Sequence, residues 1–266
     1  MFGPVLAHVK FRGTIRERSV EPYLEILSFV RKKKKFRGLL WDVSSGGGDA
    51  VASEDLFRAV QRVAQVKPVV ATIGSSAASG GYMAVLGAQR VFAHEESDVG
   101  SIGVFIPHIS VAGLLSKLGI EVELLHHGRH KDAYQGLRPL TEEEKGKVLA
   151  VARVGYDSFI EMVARQRKLP VPRVQELATG EFWSGKQALS LGLVDALGDR
   201  EDALEHLSKL TGISPSRAVQ VSPAIPFLRR IAPFLAPGMS DEVGLGLRRA
   251  VEETLEDLVV QEGRLR

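Results

Sequence analysis

The order of apolar and amphipathic segments constrains the fold of this chain more than any other feature of its sequence. A short apolar run, "GLLWDV" at residues 38–43, precedes a segment with helical spacing at residues 50–65, and a second apolar run, "KPVVATIG", follows at residues 67–74. Short apolar runs are typical of buried strands, whereas apolar residues recurring every three or four positions are typical of helices. The order strand, helix, strand predicts a βαβ unit with parallel strands. The predicted fold class is therefore α/β, with a parallel sheet and outer helices.

The rest of the chain continues this alternation. Further strands are predicted at residues 5–15, 90–94 and 121–127, and helices at residues 21–33, 111–119, 141–168, within 184–199 before a short strand, and at 200–212. Pro22 falls near the first turn of its predicted helix, a position that tolerates proline. Thr141 and Glu144 have the spacing of a capping box, which predicts the start of the long helix.

A change in composition near residue 222 predicts a division of the chain. Prolines at 223, 226, 233 and 237 interrupt the sequence there, and helical spacing then resumes towards the end. We predict one domain at residues 1–221 and a proline-punctuated amphipathic extension at residues 222–266. The extension could contact a partner subunit, lie on a membrane surface or cover a groove, and the sequence leaves these three roles open.

Charge and cysteine content exclude several classes of function. Lys and Arg number 35 against 32 Asp and Glu, and the run "RKKKKFR" at residues 31–37 is typical of a solvated helix end rather than of a nucleic-acid site. The absence of cysteine excludes disulfides, thiolate nucleophiles and cysteine-bound zinc.

The first residues lack the pattern of a signal peptide, and no window approaches about 18 uninterrupted apolar residues. We therefore expect no membrane span and, by default, a cytoplasmic location.

The stretch "SSAASGGYMAVLGAQRVFA" at residues 75–93 contains the first candidate for chemistry. Ser79 precedes Gly80 and Gly81, although each glycine inside a helix costs about 1 kcal/mol relative to alanine. A serine at a helix start with bare backbone behind it would expose its hydroxyl, and the Gly80 amide could face a developing oxyanion. The glycine loop at residues 44–49 could bring a second amide to the same point. These features predict half of an acyl-transfer site at the carboxyl ends of parallel strands.

A serine nucleophile needs a base, and the residues alone leave several candidates. His94 and His108 follow Ser79 most closely, and Lys131 lies further along the chain. A lysine can act as a base only if burial and positive neighbours lower its pKa, and residue statistics favour a surface pair of Lys131 with Asp132. The segment "HHGRH" at residues 126–130 lacks the HExxH pattern, which disfavours a metal site.

The segment "AASGGYMAVLGAQRVFAHEESDVGSIGV" resembles the signal peptide peptidase A family (protease IV, family S49), which consists of serine/lysine peptidases related to the Clp protease and crotonase folds. The likeness covers roughly residues 5–212 and implies repeated ββα units. It implies that Ser79 is the nucleophile, that Lys131 in its "KD" segment is the base and that Ser101 of "GSIGV" is a supporting hydroxyl. The loop "SSGGGD" resembles the family's "SPGGG". The resemblance therefore places Gly46 and Gly47, with Gly80, in an oxyanion hole.

The resemblance also implies what the chain acts on and with. A neutral Lys131, held by Ser101, would activate Ser79 to cut peptide bonds in extended peptides, either signal-peptide remnants or unfolded proteins, through an acyl-enzyme. Members of the family assemble into rings, so we expect a homo-oligomer, with no metal, cofactor or nucleic acid required. Two departures bear on the rate, because Ser45 replaces the usual proline and "AYQGLRP" after Lys131 replaces the usual wording. We also expect no N-terminal membrane anchor of the kind common in the family.

Three other classes of function remain open from the sequence. The first is an acyl-coenzyme A enzyme of the crotonase type, which would need no serine at position 79. The second is a histidine-based peptidase with His108 as the base. The third is an inactive scaffold that binds peptides.

Overall fold

A mixed sheet forms the centre of the protein in a computed structural model that describes residues 3–223. Within these residues the strands are β1 (Val5–Arg12), β2 (Phe36–Ser45), β3 (Val69–Ala78), β4 (Arg90–Ala93), β5 (Asp98–Gly100), β6 (Phe182–Ser184), β7 (Ala196–Leu197) and β8 (Ala218–Gln220). The helices are α1 (Glu17–Lys32), α2 (Ala50–Ala64), α3 (Gly80–Val85), α4 (Ala112–Lys117), α5 (Glu142–Arg167), α6 (Val171–Leu177), α7 (Gly185–Ser190) and α8 (Arg200–Thr211). Two short 3₁₀ turns lie at Ala133–Gln135 and Pro215–Arg217.

The sheet divides at β3, and this division creates the place where the candidate site lies. Strands β1, β2 and β3 are parallel neighbours, and β8 extends the sheet beyond β1. Residues 70–73 of β3 pair with β4, whereas residues 76–78 pair with β5. The end of β3 therefore leaves one branch of the sheet and continues beside β5, which β6 joins in antiparallel orientation.

Alternating side chains of the central strands are buried on opposite faces. On one face, Trp41 of β2 lies in a core shared with α1, α2, α3 and α5, and its Nε1 donates a hydrogen bond to the carbonyl oxygen of Ala84. On the other face, Leu40 and Val70 pack with Ala203 and Leu207 of α8. The sheet is thus covered by helices on both sides, as its continuous apolar runs require. The predicted α/β class, with a largely parallel sheet and outer helices, is confirmed.

The long helix begins where the sequence predicts it. The Thr141 hydroxyl accepts a hydrogen bond from the Glu144 N–H (3.3 Å), and the Glu144 carboxylate accepts one from the Thr141 N–H (2.9 Å). This reciprocal pair is the predicted capping box.

Two local predictions are wrong. No strand forms at residues 121–127, because the alternating side chains there have no sheet to pack on, and both Val122 and Leu125 are exposed. Helix α1 begins at Glu17 rather than at residue 21, so Pro22 lies inside the helix and not in its first turn.

Other predictions concern residues that lie partly or wholly outside residues 3–223. Residues 224–266 include nearly all of the predicted extension, so the division at residue 222 stays a prediction. Within residues 3–223, no helix combines the length and the apolar character needed to cross a membrane.

Candidate active site

Ser79 lies at a sharp turn from β3 into α3. Its backbone has φ 52° and ψ −123°, which few residues with a side chain adopt outside functional sites. Both sides of the turn are held: the Ser79 N–H donates to the carbonyl oxygen of Gly100 (2.7 Å), and the Ser79 carbonyl oxygen accepts from the Met83 N–H (3.0 Å). A strained serine between a strand and a helix is the arrangement that exposes the nucleophile of α/β-hydrolases.

The hydroxyl of Ser79 does not cap the helix that it precedes. A serine at this position ordinarily accepts a hydrogen bond from a backbone N–H of the first turn, but Ser79 makes no such bond and its side chain is half-buried. Within residues 3–223 the N–H of Gly80 likewise donates no hydrogen bond, as expected for the first residue of a helix. The Ser79 hydroxyl and the adjacent Gly80 amide therefore both lack a hydrogen-bond partner among the described residues.

The glycine loop after β2 lies directly against this turn. Gly47 has φ 96°, and a Cβ atom there would lie 2.8 Å from both the Ala78 carbonyl oxygen and the Gly80 nitrogen. Such close approach of two backbones requires glycine. The Gly47 N–H donates to the Ser45 hydroxyl (3.1 Å), so Ser45 itself holds the loop at the position where the resemblance leads one to expect proline.

The three amides predicted to bind an oxyanion are consequently not equivalent. Those of Gly46 and Gly80 donate no hydrogen bond to any part of the chain that the structure describes, whereas the amide of Gly47 is taken up by Ser45. Gly47 and Gly80 lie in contact, and the surroundings of Gly46 are open.

The two glycines after Ser79 let α3 pack closely on α2 and on the end of β2. A Cβ atom at Gly80 would lie 2.0 Å from the Ser53 hydroxyl oxygen, and one at Gly81 would lie 2.3 Å from the Ser45 carbonyl oxygen. Both distances are far below van der Waals contact. The glycines thus serve close packing of the backbone as well as access to it.

We expect a Gly81→Ala substitution to lower the free energy of unfolding by about 1–3 kcal/mol, because the added methyl group collides with backbone that cannot move aside. Gly146→Ala is the matched control: Gly146 lies within α5 with no atom near its Cβ position, so this change should stabilise the chain by up to about 1 kcal/mol. Thermal unfolding of both variants measures the difference. Equal melting temperatures for the two would contradict the packing argument.

Ser101 lies beside Ser79 across the paired strand ends. Ala78 pairs with Gly100, so the residues that follow them, Ser79 and Ser101, leave the sheet side by side. Ser101 also has a positive φ of 48°, and its N–H donates to the carbonyl oxygen of Glu181 (2.7 Å). Among described non-glycine residues, the remaining positive φ belongs to Lys168, which ends α5. The two predicted serines are therefore the strained positions that helix termination does not explain.

Lys131 lies on a projecting segment, residues 104–140, which we name the arm. Its side chain is exposed, and its amine makes no hydrogen bond or ion pair with Ser79, Ser101 or any other described residue. The arm is held internally, for example by the Val111 N–H on the Gly136 carbonyl oxygen (2.8 Å). The single chain therefore brings Ser79, Ser101, Gly47 and Gly80 together but does not join Lys131 to them.

The arm carries an unusually apolar surface. Helix α4 has no buried residue, and the exposed apolar side chains of the arm include Phe105 (85% exposed), Ile109 (78%) and Leu125 (86%). Leu149 and Val154 of α5 are exposed as well. Large exposed apolar patches are typical of interaction sites.

The histidine candidates have other partners. His108 lies beside the carbonyl oxygen of Ala133 (3.2 Å) and His126 faces Asp132 (3.5 Å). His130 lies between Glu143 and Glu144 at 3.4 and 3.3 Å. Among residues 3–223, no group of three or more metal-binding side chains is placed to hold an ion.

A cavity of about 230 Å³ on the α8 face is not part of this site. It is bordered by Arg12, Asp42 and Arg200, and Ser79, Ser101 and Lys131 do not line it. Burial opposes ionisation of Asp42, but hydrogen bonds from His8 and Arg12 outweigh it and lower the pKa of that carboxyl. The buried Asp42 carboxylate is thus paired with His8 and with the partly exposed Arg12.

Comparison with known proteins bears on the class to which this chain belongs. Residues 61–214 match the sequence profile described as peptidase family S49. The chain belongs to peptidase family S49. Its class is accordingly that of the serine peptidases, in agreement with the family resemblance of the sequence.

Three relatives of the S49 chain carry protease names. A Methanocaldococcus jannaschii protein named as a candidate protease is 36% identical over 205 residues, which cover 77% of this chain and 66% of that protein. A Synechocystis protein, also named as a candidate protease, is 32% identical over 244 residues, or 90% of this chain and 88% of that protein. The serine protease SPPA of Arabidopsis thaliana chloroplasts is 31% identical over 91% of this chain, which spans 36% of that longer protein.

A solved structure supports the fold. A mutant of the membrane-bound stomatin-specific protease 1510-N superposes with a TM-score of 0.51, over 77% of this chain and 85% of that one, at 14% identity. The S49 chain thus has the α/β architecture of a known protease.

Arg138 is a residue of this S49 chain for which sequence patterns predict no role. It lies in the segment "AYQGLRP", where only a departure from the family wording was visible. Its guanidinium contacts Asp132, the neighbour of Lys131, and Glu144 of α5. The signal available in the sequence was the spacing, because Arg138 lies six positions from each of its two acidic partners, Asp132 and Glu144.

Proposed function

We propose that this chain is a serine peptidase in which Ser79 attacks a peptide carbonyl and Lys131 acts as the general base. The observation that carries the proposal is the turn at Ser79, where a strained backbone presents a hydroxyl that caps nothing. A nucleophile in this setting needs a base to remove its proton and donors to stabilise the tetrahedral oxyanion.

The amides around Ser79 supply the second requirement. We assign the oxyanion to the N–H of Gly80 and to that of Gly46 in the facing loop. Gly47, whose amide is engaged with Ser45, brings the loop backbone into contact with the turn. Ser101, beside Ser79, is the hydroxyl that would orient the lysine amine, and its strained backbone fits a functional role.

The proposed base, Lys131, lies on the arm and is exposed in the single chain. An amine in water stays protonated near neutral pH, and burial is what favours the neutral form. A second copy of this chain packed on the apolar arm would remove Lys131 from solvent. We therefore propose that the active form is a homo-oligomer, in keeping with the ring expected from the sequence.

The reaction then proceeds through an acyl-enzyme. Neutral Lys131 takes the proton of Ser79 as the serine oxygen bonds to the peptide carbonyl, and the amides hold the oxyanion. The lysine returns this proton to the leaving amine as the C–N bond breaks, and water, deprotonated in the same way, releases the acyl group. The proposed substrates are extended peptides, such as signal-peptide remnants or segments of unfolded proteins, which can pair with strands beside the site.

Cleavage of an unfolded protein and of a short apolar peptide, with the cut sites mapped by mass spectrometry, tests the proposal. We expect the rate to rise from neutral to alkaline pH, because the base must lose its proton before it can accept another. Metal chelators should leave the rate unchanged. Absence of any cleavage would point to the inactive scaffold. Retention of cleavage of a coenzyme A thioester by Ser79→Ala would point to the crotonase-type enzyme.

A further inference from the structure

The part of the arm that carries Lys131 contains almost no regular structure, so its position needs another explanation. The single 3₁₀ turn Ala133–Gln135 follows Lys131, and no strand pairs with this part of the arm within the described chain. Yet Asp132 and Ala133, directly after the exposed lysine, are 8% and 0% exposed. Contacts other than regular secondary structure therefore hold the backbone at residues 132 and 133.

Arg138 provides three strong hydrogen bonds there. Its Nε donates to Asp132 Oδ2 (2.6 Å), its Nη1 to Glu144 Oε2 (2.8 Å) and its Nη2 to Glu144 Oε1 (2.7 Å). Charge-assisted bonds in this bidentate geometry are among the strongest and most directional in proteins. Hydrogen bonds from Arg138 lower the pKa of Asp132 and are also the main cause of the lowered pKa of Glu144, so both acids stay ionised and keep these bonds. We name the group of Arg138, Asp132 and Glu144 the clamp.

Glu144 gives this clamp a rigid base. It is 3% exposed, and its carboxylate also accepts the Thr141 N–H in the capping box of α5. Helix α5 continues to Arg167 and is anchored in the main core through Phe159 and Val163. The contacts thus run from the core through α5 and Glu144 to Arg138 and Asp132.

We propose that Arg138 is a positioning residue that fixes Lys131 in its catalytic direction by tying the adjacent Asp132 to the start of α5. The inference rests on the proposed function, since it assigns Lys131 the role of base. Asp132 Oδ1 is buried without a hydrogen bond and faces His126 at 3.5 Å, so Asp132 depends on Arg138 for its strong contact. Arg138 touches no reacting atom and acts through the backbone shared by residues 131 and 132.

Arg138→Gln compared with Arg129→Gln tests this role. Arg129 lies in the same segment and bonds Glu143 (2.7 Å), but its side chain is 78% exposed, so its loss should change kcat less than twofold. We expect Arg138→Gln to lower kcat about 100-fold, the effect of misplacing a catalytic group by roughly 1 Å, with KM within twofold of wild type. Arg138→Lys should recover only part of kcat, because an ammonium cannot bond two carboxylates in the same fork.

Controls separate this proposal from stability and from the proposed function. Circular dichroism and the mass of the assembly must match those of the wild type. If Arg138→Gln does not fold, Asp132→Asn, which keeps the side-chain shape and weakens the same bond, must show the same loss of kcat with unchanged KM. Equal kcat for the Arg138 and Arg129 variants would overturn the inference, as would a loss confined to KM. Activity retained by Lys131→Ala would instead overturn the proposed function.

Discussion

Substituting alanine for Ser79 is expected to lower kcat for peptide cleavage by about 10⁴-fold or more, and substituting alanine for Lys131 should have an effect of similar size. Without the Ser79 hydroxyl no acyl-enzyme can form, and without the lysine amine nothing removes its proton. Because the two groups act as one unit, the double variant should be scarcely worse than either single one. Steady-state cleavage of a fluorogenic apolar peptide measures all three.

Matched substitutions exclude a general disturbance of the fold. Ser75→Ala changes an exposed serine of β3, the strand that leads to Ser79; among described residues its side chain bonds only Ser44. Lys145→Ala removes a surface pair with Glu142, which contributes little to stability. Both should retain nearly full activity. Lys131→Ala with undiminished activity would refute the assignment of the base, and if His108→Ala were inactive in the same assay, the histidine-based mechanism would replace it.

The sheet and most helices could be predicted from the sequence because local patterns determine them. The apolar runs that became β2 and β3 need burial on both faces, and the segment between them has a single apolar stripe, so one arrangement satisfies both. The capping box of Thr141 and Glu144 is equally local, since its partners are three positions apart. Ser79 was identifiable as a candidate for the same reason, because the two glycines that follow it destabilise a helix and this local cost requires an explanation.

The remaining features depend on contacts between distant parts of the chain. The alternation at residues 121–127 has the period of a strand, but a strand requires a neighbour, and the arm offers none within the described chain. The positive φ of Ser101 follows from its position at the end of β5 beside β3 and cannot be read from neighbouring residues. The clamp by Arg138 joins Asp132 to α5 across a loop, and the role of Gly81 depends on a carbonyl oxygen of β2.

The separation of Lys131 from Ser79 in the single chain leads to the second prediction. Mixed assemblies of Ser79→Ala and Lys131→Ala chains, each inactive alone, are expected to recover about a quarter of wild-type activity when the two are equally abundant in a ring of head-to-tail contacts. The reason is that a site built from the serine of one chain and the lysine of its neighbour is intact at one random contact in four. Co-expression with two different tags, followed by tandem purification and peptide cleavage, measures this recovery.

The expectation depends on two observations about the arm. The amine of Lys131 has no polar partner among the described residues, and the arm that carries it exposes large apolar side chains, with Phe105 and Leu125 more than four-fifths exposed. A neighbouring chain that covers this surface would gain apolar burial and at the same time desolvate the amine, which is the condition for a neutral base. A mixture of Ser79→Ala with the Ser79→Ala/Lys131→Ala double variant should stay inactive. If the first mixture forms mixed assemblies of the wild-type mass and still cuts nothing, each Lys131 must serve the Ser79 of its own chain, and the arm would have to fold back onto the turn at Ser79.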